Sequence, residues 1–248
     1  MKKIFISTII LASLVLLLTP EVFPDNFQPE NIINDIAQSD VIIIFNAGGW
    51  GNTPFEKAED FAPIVEGIQK TLEEWGYNSI VIPYNRTKDS FTGKITGVRE
   101  FLNSFDVSSG NLAESVETLK TKLPDKKIIM AGLSNGATFV DETYEKISVE
   151  VKESVYAISV GAPFWAGEVE VDSGNILQLK VSSDSLAKGD ISALAISALK
   201  APFKWLWAKL SGYNLSFAQM LHAAGHDYSW SSPEVNSQIV AFLEKNFR

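Results

Sequence analysis

The stretch Lys127-Ile128-Ile129-Met130-Ala131-Gly132-Leu133-Ser134-Asn135-Gly136-Ala137-Thr138-Phe139-Val140-Asp141-Glu142-Thr143-Tyr144 decides the fold. Lys127 to Ala131 is a short apolar run of strand character, and Ala137 to Tyr144 reads as a helix. The pentad Gly132-Leu133-Ser134-Asn135-Gly136 between them is therefore a tight strand-to-helix turn. A serine in such a turn is thrust out at the carboxyl end of the strand on a strained backbone, and both glycines are needed because a Cβ at either position would collide with neighbouring chain. A Gly-x-Ser-x-Gly pentad alone recurs by chance; the strand before it and the helix after it give this one its weight.

Further along, the run Ile176-Leu177-Gln178-Leu179-Lys180-Val181 ends in Ser182-Ser183-Asp184, a carboxylate just past a strand's end. Near the C-terminus, Ala224-Gly225-His226-Asp227-Tyr228 follows another apolar stretch. With serine, aspartate and histidine in this order, the chain resembles the α/β-hydrolase superfamily. The match covers most of residues 41–248 by order of elements and is specific at the turn and at Gly225-His226. The resemblance implies a catalytic triad with Ser134 as nucleophile, His226 as base and Asp184 as the acid that orients the imidazole. It also implies that no metal or cofactor is required. The oxyanion would be met by the N–H of Asn135 and by a second amide from Asn46-Ala47-Gly48-Gly49-Trp50-Gly51. There the family often carries His-Gly followed by the donor residue. This chain has Asn46-Ala47 instead, which points to Gly48 as donor with Gly49 as the neighbouring alternative.

Each assignment has a rival in the residues themselves. A serine hydroxyl is a weak nucleophile until a base takes its proton, a task suited to an imidazole that is neutral near pH 7. His222, the other histidine, reads as packing in or beside the last strand. Two histidines four apart would suit zinc on a helix face, but Gly225 and the strand context oppose a helix and no glutamate follows His222. Asp190 rivals Asp184, yet followed by Ile191 and Ser192 it reads better as the N-cap of the next helix. The glycine loop after Asn46 lacks the Gly-Lys-Ser/Thr ending of a phosphate cradle.

Composition narrows the setting. A chain of 248 residues with 46% apolar residues can bury one full α/β core. A net charge of −9 and a pI near 4.8 argue against nucleic acid and anionic lipid as partners. The absence of cysteine rules out a disulfide framework and thiol catalysis, and leaves the redox compartment open. Lys2 and Lys3 precede the uncharged run Ile4 to Leu18, closed by Thr19-Pro20, the layout of an export signal. No good small-x-small cleavage site follows, so residues 1–24 are read as a signal peptide or a retained N-terminal membrane anchor, residues 25–40 as a linker and residues 41–248 as the catalytic domain.

Within that domain, strands are expected at Val41–Phe45, Ile80–Ile82, Lys127–Ala131, Val155–Val160 and Ile176–Val181, with a sixth inside Phe217–His222. Helices are expected over the apolar positions Ile64, Val65, Ile68, Leu72 and Trp75, ended by Gly76; over 97–105; over Leu112, Val116, Leu119 and Leu123; and from Pro233, with Ser232 as N-cap. The alternation predicts a doubly wound, mostly parallel α/β sheet of about six strands, a reduced α/β-hydrolase fold. Residues 191–214, rich in large apolar groups around Phe203, Leu206, Trp207 and Leu210, are either a crossover helix or a lid.

The function that follows is an exported esterase or lipase acting on a small-molecule or lipid ester, secreted or tethered through residues 4–18. The same constellation serves thioesterases and acyltransferases, and a non-catalytic binding module on the same fold is the competing class.

Overall fold

A computed structural model describes residues 18–20, 23–24, 27–166, 174–190, 207 and 225–248. Five strands, β1 (Val41–Asn46), β2 (Ser79–Pro83), β3 (Lys127–Leu133), β4 (Val155–Val160) and β5 (Ile176–Leu179), form one sheet in the order β2-β1-β3-β4-β5. Every pairing is parallel, with Ile43 opposite Ile129, Ile129 opposite Tyr156 and Ile158 opposite Leu177. The sixth expected strand, at 217–222, lies outside the described residues, as do His222, the apolar run before Leu18 and all of 191–214 except Trp207.

The helices are α1 (Pro29–Ile36), α2 (Ala62–Glu74), α3 (Phe91–Leu102), α4 (Asp106–Lys122), α5 (Asn135–Lys146), the short α6 (Val149–Lys152) and α7 (Ser185–Lys188), and α8 (Pro233–Phe247). Strand alternation sorts the core into two layers. Val41, Ile43, Phe45, Ile129 and Ile158 pack with Ile64, Ile68 and Leu72 of α2 and Ile239 and Leu243 of α8. Ile42, Ile44, Ile128, Met130 and Ala157 pack on the opposite face with Leu112 and Val116 of α4 and Phe139 and Val140 of α5. A strand covered on both faces needs no polar alternation, which is why β1 is an unbroken apolar run. Its Ile42, Ile43 and Ile44 are fully buried, each contributing roughly 2 kcal/mol of burial.

Helix ends mostly follow the sequence signals. At the end of α2, Gly76 takes φ 88°, its N–H donating to Glu73 O at 2.9 Å while Tyr77 N–H donates to Leu72 O at 3.0 Å. This left-handed turn closes the helix and returns the chain to β2.

Three expectations are corrected. Part of the segment read as a linker is α1, whose Ile36 is buried in the same layer as Leu112 and Val116, so an apolar anchor had been hidden among polar residues. The helix placed at 97–105 begins at Phe91, capped by Ser90 Oγ accepting from Gly93 N at 3.0 Å. It ends before Ser104 and Phe105, both at positive φ, so α4 starts at Asp106. Ser232 precedes α8, but its side chain makes no capping hydrogen bond. Its carbonyl instead accepts from Val235 and Asn236.

The sheet order reverses between β1 and β3, the place where open parallel sheets leave a crevice at the carboxyl ends of their strands. The loops after Asn46 and Leu133 both emerge there.

Candidate active site

Ser134 follows β3 with φ 56° and ψ −120°, a backbone conformation that L residues rarely adopt. Its carbonyl receives the N–H groups of Ala137 and Thr138, while its own N–H donates to Val160 O at 2.8 Å, so the strain is paid for at both ends of the turn. The two glycines of the pentad are required by contact. A Cβ on Gly132 would stand 2.2 Å from Gly136 O, and one on Gly136 would stand 2.4 Å from Asn46 O. The turn therefore closes only with glycine at both positions, and closing it presses α5 against the end of β1.

Asp184 follows β5 and is completely buried. Its Oδ1 accepts from Leu186 N at 2.8 Å and Ala187 N at 3.1 Å, and its Oδ2 accepts from Tyr228 Oη at 2.7 Å and pairs with His226 Nδ1 at 2.8 Å. Burial alone would raise its pKa, but the bonds from His226, Tyr228 and the Ala187 amide outweigh it and hold the carboxyl below the ordinary range. An ionised carboxylate only accepts, so the proton of that pair resides on His226 Nδ1. Nε2 then carries the ring's lone pair, and it is buried with no partner among the described residues. Asp190, the rival acid, donates its N–H to Ser185 O beyond α7; the aspartate bonded to His226 is Asp184.

Two further glycines bring these loops together. Gly225 takes φ 77°, and a Cβ there would stand 2.0 Å from Ser183 O, so the histidine loop lies directly on the aspartate loop. Gly161 follows β4 at φ 61°, and a Cβ there would meet the Tyr228 ring at 2.5 Å and His226 Cε1 at 3.0 Å. Ser134 N is bonded to Val160, the residue before this glycine. Ser134 and His226 thus flank the Val160-Gly161 step, although no hydrogen bond joins them among the described residues.

Gly48 lies against the turn, where a Cβ would stand 3.3 Å from Leu133 O and 3.7 Å from Ser134 Cβ. Neither the Gly48 amide nor the Asn135 amide donates to an acceptor among the described residues. Two free N–H groups beside a turn serine are suited to receive charge developing on a substrate oxygen. Gly49, the alternative donor, has its carbonyl within 3.4 Å of Asn135 Nδ2. Trp50 of this loop is exposed, as are Phe164 and Trp165 beyond β4, which stack edge to face at 5.1 Å.

The role of Tyr228 was missed in the sequence. It donates to Asp184 and also accepts from Val181 N at 3.2 Å, tying the histidine loop to the end of β5. The signal was its position two residues after His226, on the same loop.

No protein-family model matches this chain, and no curated protein matches it. Among solved structures, it is similar to the Trichoderma reesei cutinase in complex with a C11Y4 phosphonate inhibitor at TM-score 0.47 and 15% identity, over 65% of this chain and 73% of that one. It is similar to an acetylxylan esterase at TM-score 0.47 and 15% identity, over 84% of this chain and 99% of that one. By its own topology, a parallel sheet in the order β2-β1-β3-β4-β5 with a glycine-bounded serine turn between β3 and α5, the chain has a reduced α/β-hydrolase fold.

Proposed function

We propose that the protein is an exported serine hydrolase that cleaves carboxylic esters through an acyl-enzyme. The observation that carries this reading is His226, whose Nδ1 is bonded to a buried carboxylate while its Nε2 is buried and unpaired beside the serine turn. An imidazole fixed in that tautomer is a proton acceptor awaiting a donor.

In the reaction, Ser134 Oγ attacks the ester carbonyl carbon and its proton passes to His226 Nε2. The carbonyl oxygen becomes an oxyanion facing the Gly48 and Asn135 amides, and the Asp184 carboxylate stabilises the imidazolium. When the tetrahedral intermediate collapses, the bond to the alcohol breaks and His226 protonates the departing oxygen. Water then repeats the sequence on the acyl-enzyme, giving up its proton to His226 and releasing the acid. The exposed Trp50, Phe164 and Trp165 favour an ester with an apolar acyl group. Export is supported by the lysines and the apolar run within residues 1–24.

The test is labelling with a fluorophosphonate probe of wild type, Ser134→Ala and His226→Ala, followed by a chain-length series of p-nitrophenyl esters. Labelling and turnover in wild type, lost in both folded variants, are expected. A folded wild type that neither labels nor turns over would remove the hydrolase reading and leave a non-catalytic binding module. Thioesters run beside the esters separate a thioesterase from an esterase.

A further inference from the structure

Arg86 follows β2 and is 3% exposed; the nearby buried Glu100 carboxylate favours its charge, but no direct ion pair is made with it among the described residues. Its guanidinium faces the rings of Phe105 and Phe139 at 5.0 and 5.5 Å. A cation so far from water is costly unless something in the fold needs it there. Its hydrogen bonds say what it serves: Nη2 donates to Ala47 O at 2.8 Å and to Gly49 O at 3.3 Å. Those carbonyls bracket Gly48.

The consequence follows from peptide geometry. In a trans peptide the C=O and the next N–H point to opposite sides. With the Ala47 carbonyl drawn to the guanidinium, the Gly48 N–H must point away from it, and that amide is one of the two left without an acceptor beside Ser134. The Gly49 carbonyl is shared by Arg86 Nη2 and Asn135 Nδ2, so the residue carrying the second free amide is tied to the same loop. Two more contacts hold the loop against the arginine's own segment, and a third closes the loop on itself. Arg86 N donates to Gly51 O at 2.8 Å, Thr87 Oγ1 donates to Trp50 O at 2.9 Å, and Gly51 N closes a turn onto Gly48 O at 3.1 Å. Gly51 is the space that admits the guanidinium, since a Cβ there would stand 2.3 Å from Arg86 Nε.

We propose that Arg86 is a positioning residue of the oxyanion hole, its guanidinium fixing the Ala47 and Gly49 carbonyls so that the Gly48 N–H is presented to the reacting carbonyl. This rests on the serine hydrolase reading above. A residue with this role acts only on the transition state, where the oxyanion exists, and leaves ground-state binding alone.

The experiment measures ester hydrolysis and two inhibitors on the full chain: a trifluoromethyl ketone, which forms a tetrahedral oxyanion adduct, and the unreactive amide of the same acyl group. In Arg86→Gln, kcat is expected to fall about 30-fold with KM within about twofold, and the trifluoromethyl ketone to weaken by a similar factor while the amide does not. Arg86→Lys, which keeps one donor, is expected to recover part of the loss. Gly51→Ala, which forces the guanidinium aside with the arginine retained, is expected to show the same split between the two inhibitors. A folded Arg86→Gln with unchanged kcat, or with equal weakening of both inhibitors, would overturn the proposal. So would loss of fold in both Arg86 variants beside wild-type catalysis in Gly51→Ala. These outcomes require an active wild type, so they are distinct from failure of the hydrolase reading, in which the wild type itself shows no turnover.

Discussion

Asp141 and Asp184 are both almost completely removed from water, yet the protein shifts their pKa values in opposite directions. Asp141 lies on α5, two turns beyond Ser134, and accepts hydrogen bonds from Ser159 Oγ of β4 and, at 2.8 Å, from Gln178 Nε2 of β5. Burial dominates there: even with those two bonds and the Lys180 charge pulling down, its pKa is pushed up to about 6. Asp184 suffers the same burial but collects two backbone amides, a phenol and an imidazole, and its pKa falls below the ordinary value. The lesson is that donors, not depth alone, decide which way a buried carboxyl's pKa moves. With two neutral side-chain donors Asp141 joins α5 to β4 and β5. With four donors, one of them an imidazole, Asp184 sets a tautomer.

The sharpest way to break this contrast is to neutralise each acid in turn. Asp184→Asn is expected to lower kcat for ester hydrolysis by about 10³-fold or more, because an amide can stabilise the wrong imidazole tautomer and no imidazolium. Asp141→Asn is expected to stay within about threefold. Equal losses in steady-state assays would erase the distinction. Next in size is Gly225→Ala. Its Cβ would stand 2.0 Å from Ser183 O, and separating the histidine loop from the aspartate loop should cost about 100-fold in kcat. A fully active, folded variant would show that the loops do not need that contact.

The third prediction concerns pH. The folded state of Asp141 holds its proton up to about 6, against 3.8 for the ordinary carboxyl. The native state therefore binds more protons than the unfolded chain in that interval, and Asp141 makes stability fall as pH rises from about 4 to beyond 6, by roughly 3 kcal/mol at most. Asp184 works the other way. With its folded pKa depressed, its stabilisation is complete above the ordinary value and is lost only as pH falls through the lowered one. Urea unfolding from pH 4 to 8 should show the Asp141 slope in wild type and not in Asp141→Asn; parallel curves would contradict it. The smallest expected effect is Tyr228→Phe, which removes one donor from Asp184 and the acceptor of Val181 N. It should cost about 1 kcal/mol of stability and lower kcat about 10-fold. A denaturation midpoint and kcat both equal to wild type would leave His226 and the amides as sufficient support for the acid.

Much of this was legible beforehand. The interior strands were readable because a strand buried on both faces has no polar alternation, and β4 runs over Val155–Val160 as its apolar run does. The turn serine, the acid after β5 and the histidine beside a glycine could be picked out by order. Helix α1 was not legible, since Pro, Asn and Asp around it resemble a linker, although Ile36 is buried in the core and Ile32 and Ile33 pack against it. Nor was Arg86, which in sequence is the middle of an Asn-x-Thr triplet, Asn85-Arg86-Thr87.

The sequence by itself determined where the five strands and the strand-to-helix turn lie, and which serine and aspartate follow strands, because local pattern reports which way each side chain faces. Only the tertiary structure decided the strand order, the partners of the buried polar groups that have one and the direction in which each aspartate's pKa is shifted. Those depend on residues about 40 positions apart, such as Arg86 and Ala47 or His226 and Asp184, meeting across the sheet's carboxyl edge. A carboxyl's charge is set by the donors that arrive there and by the water that is excluded.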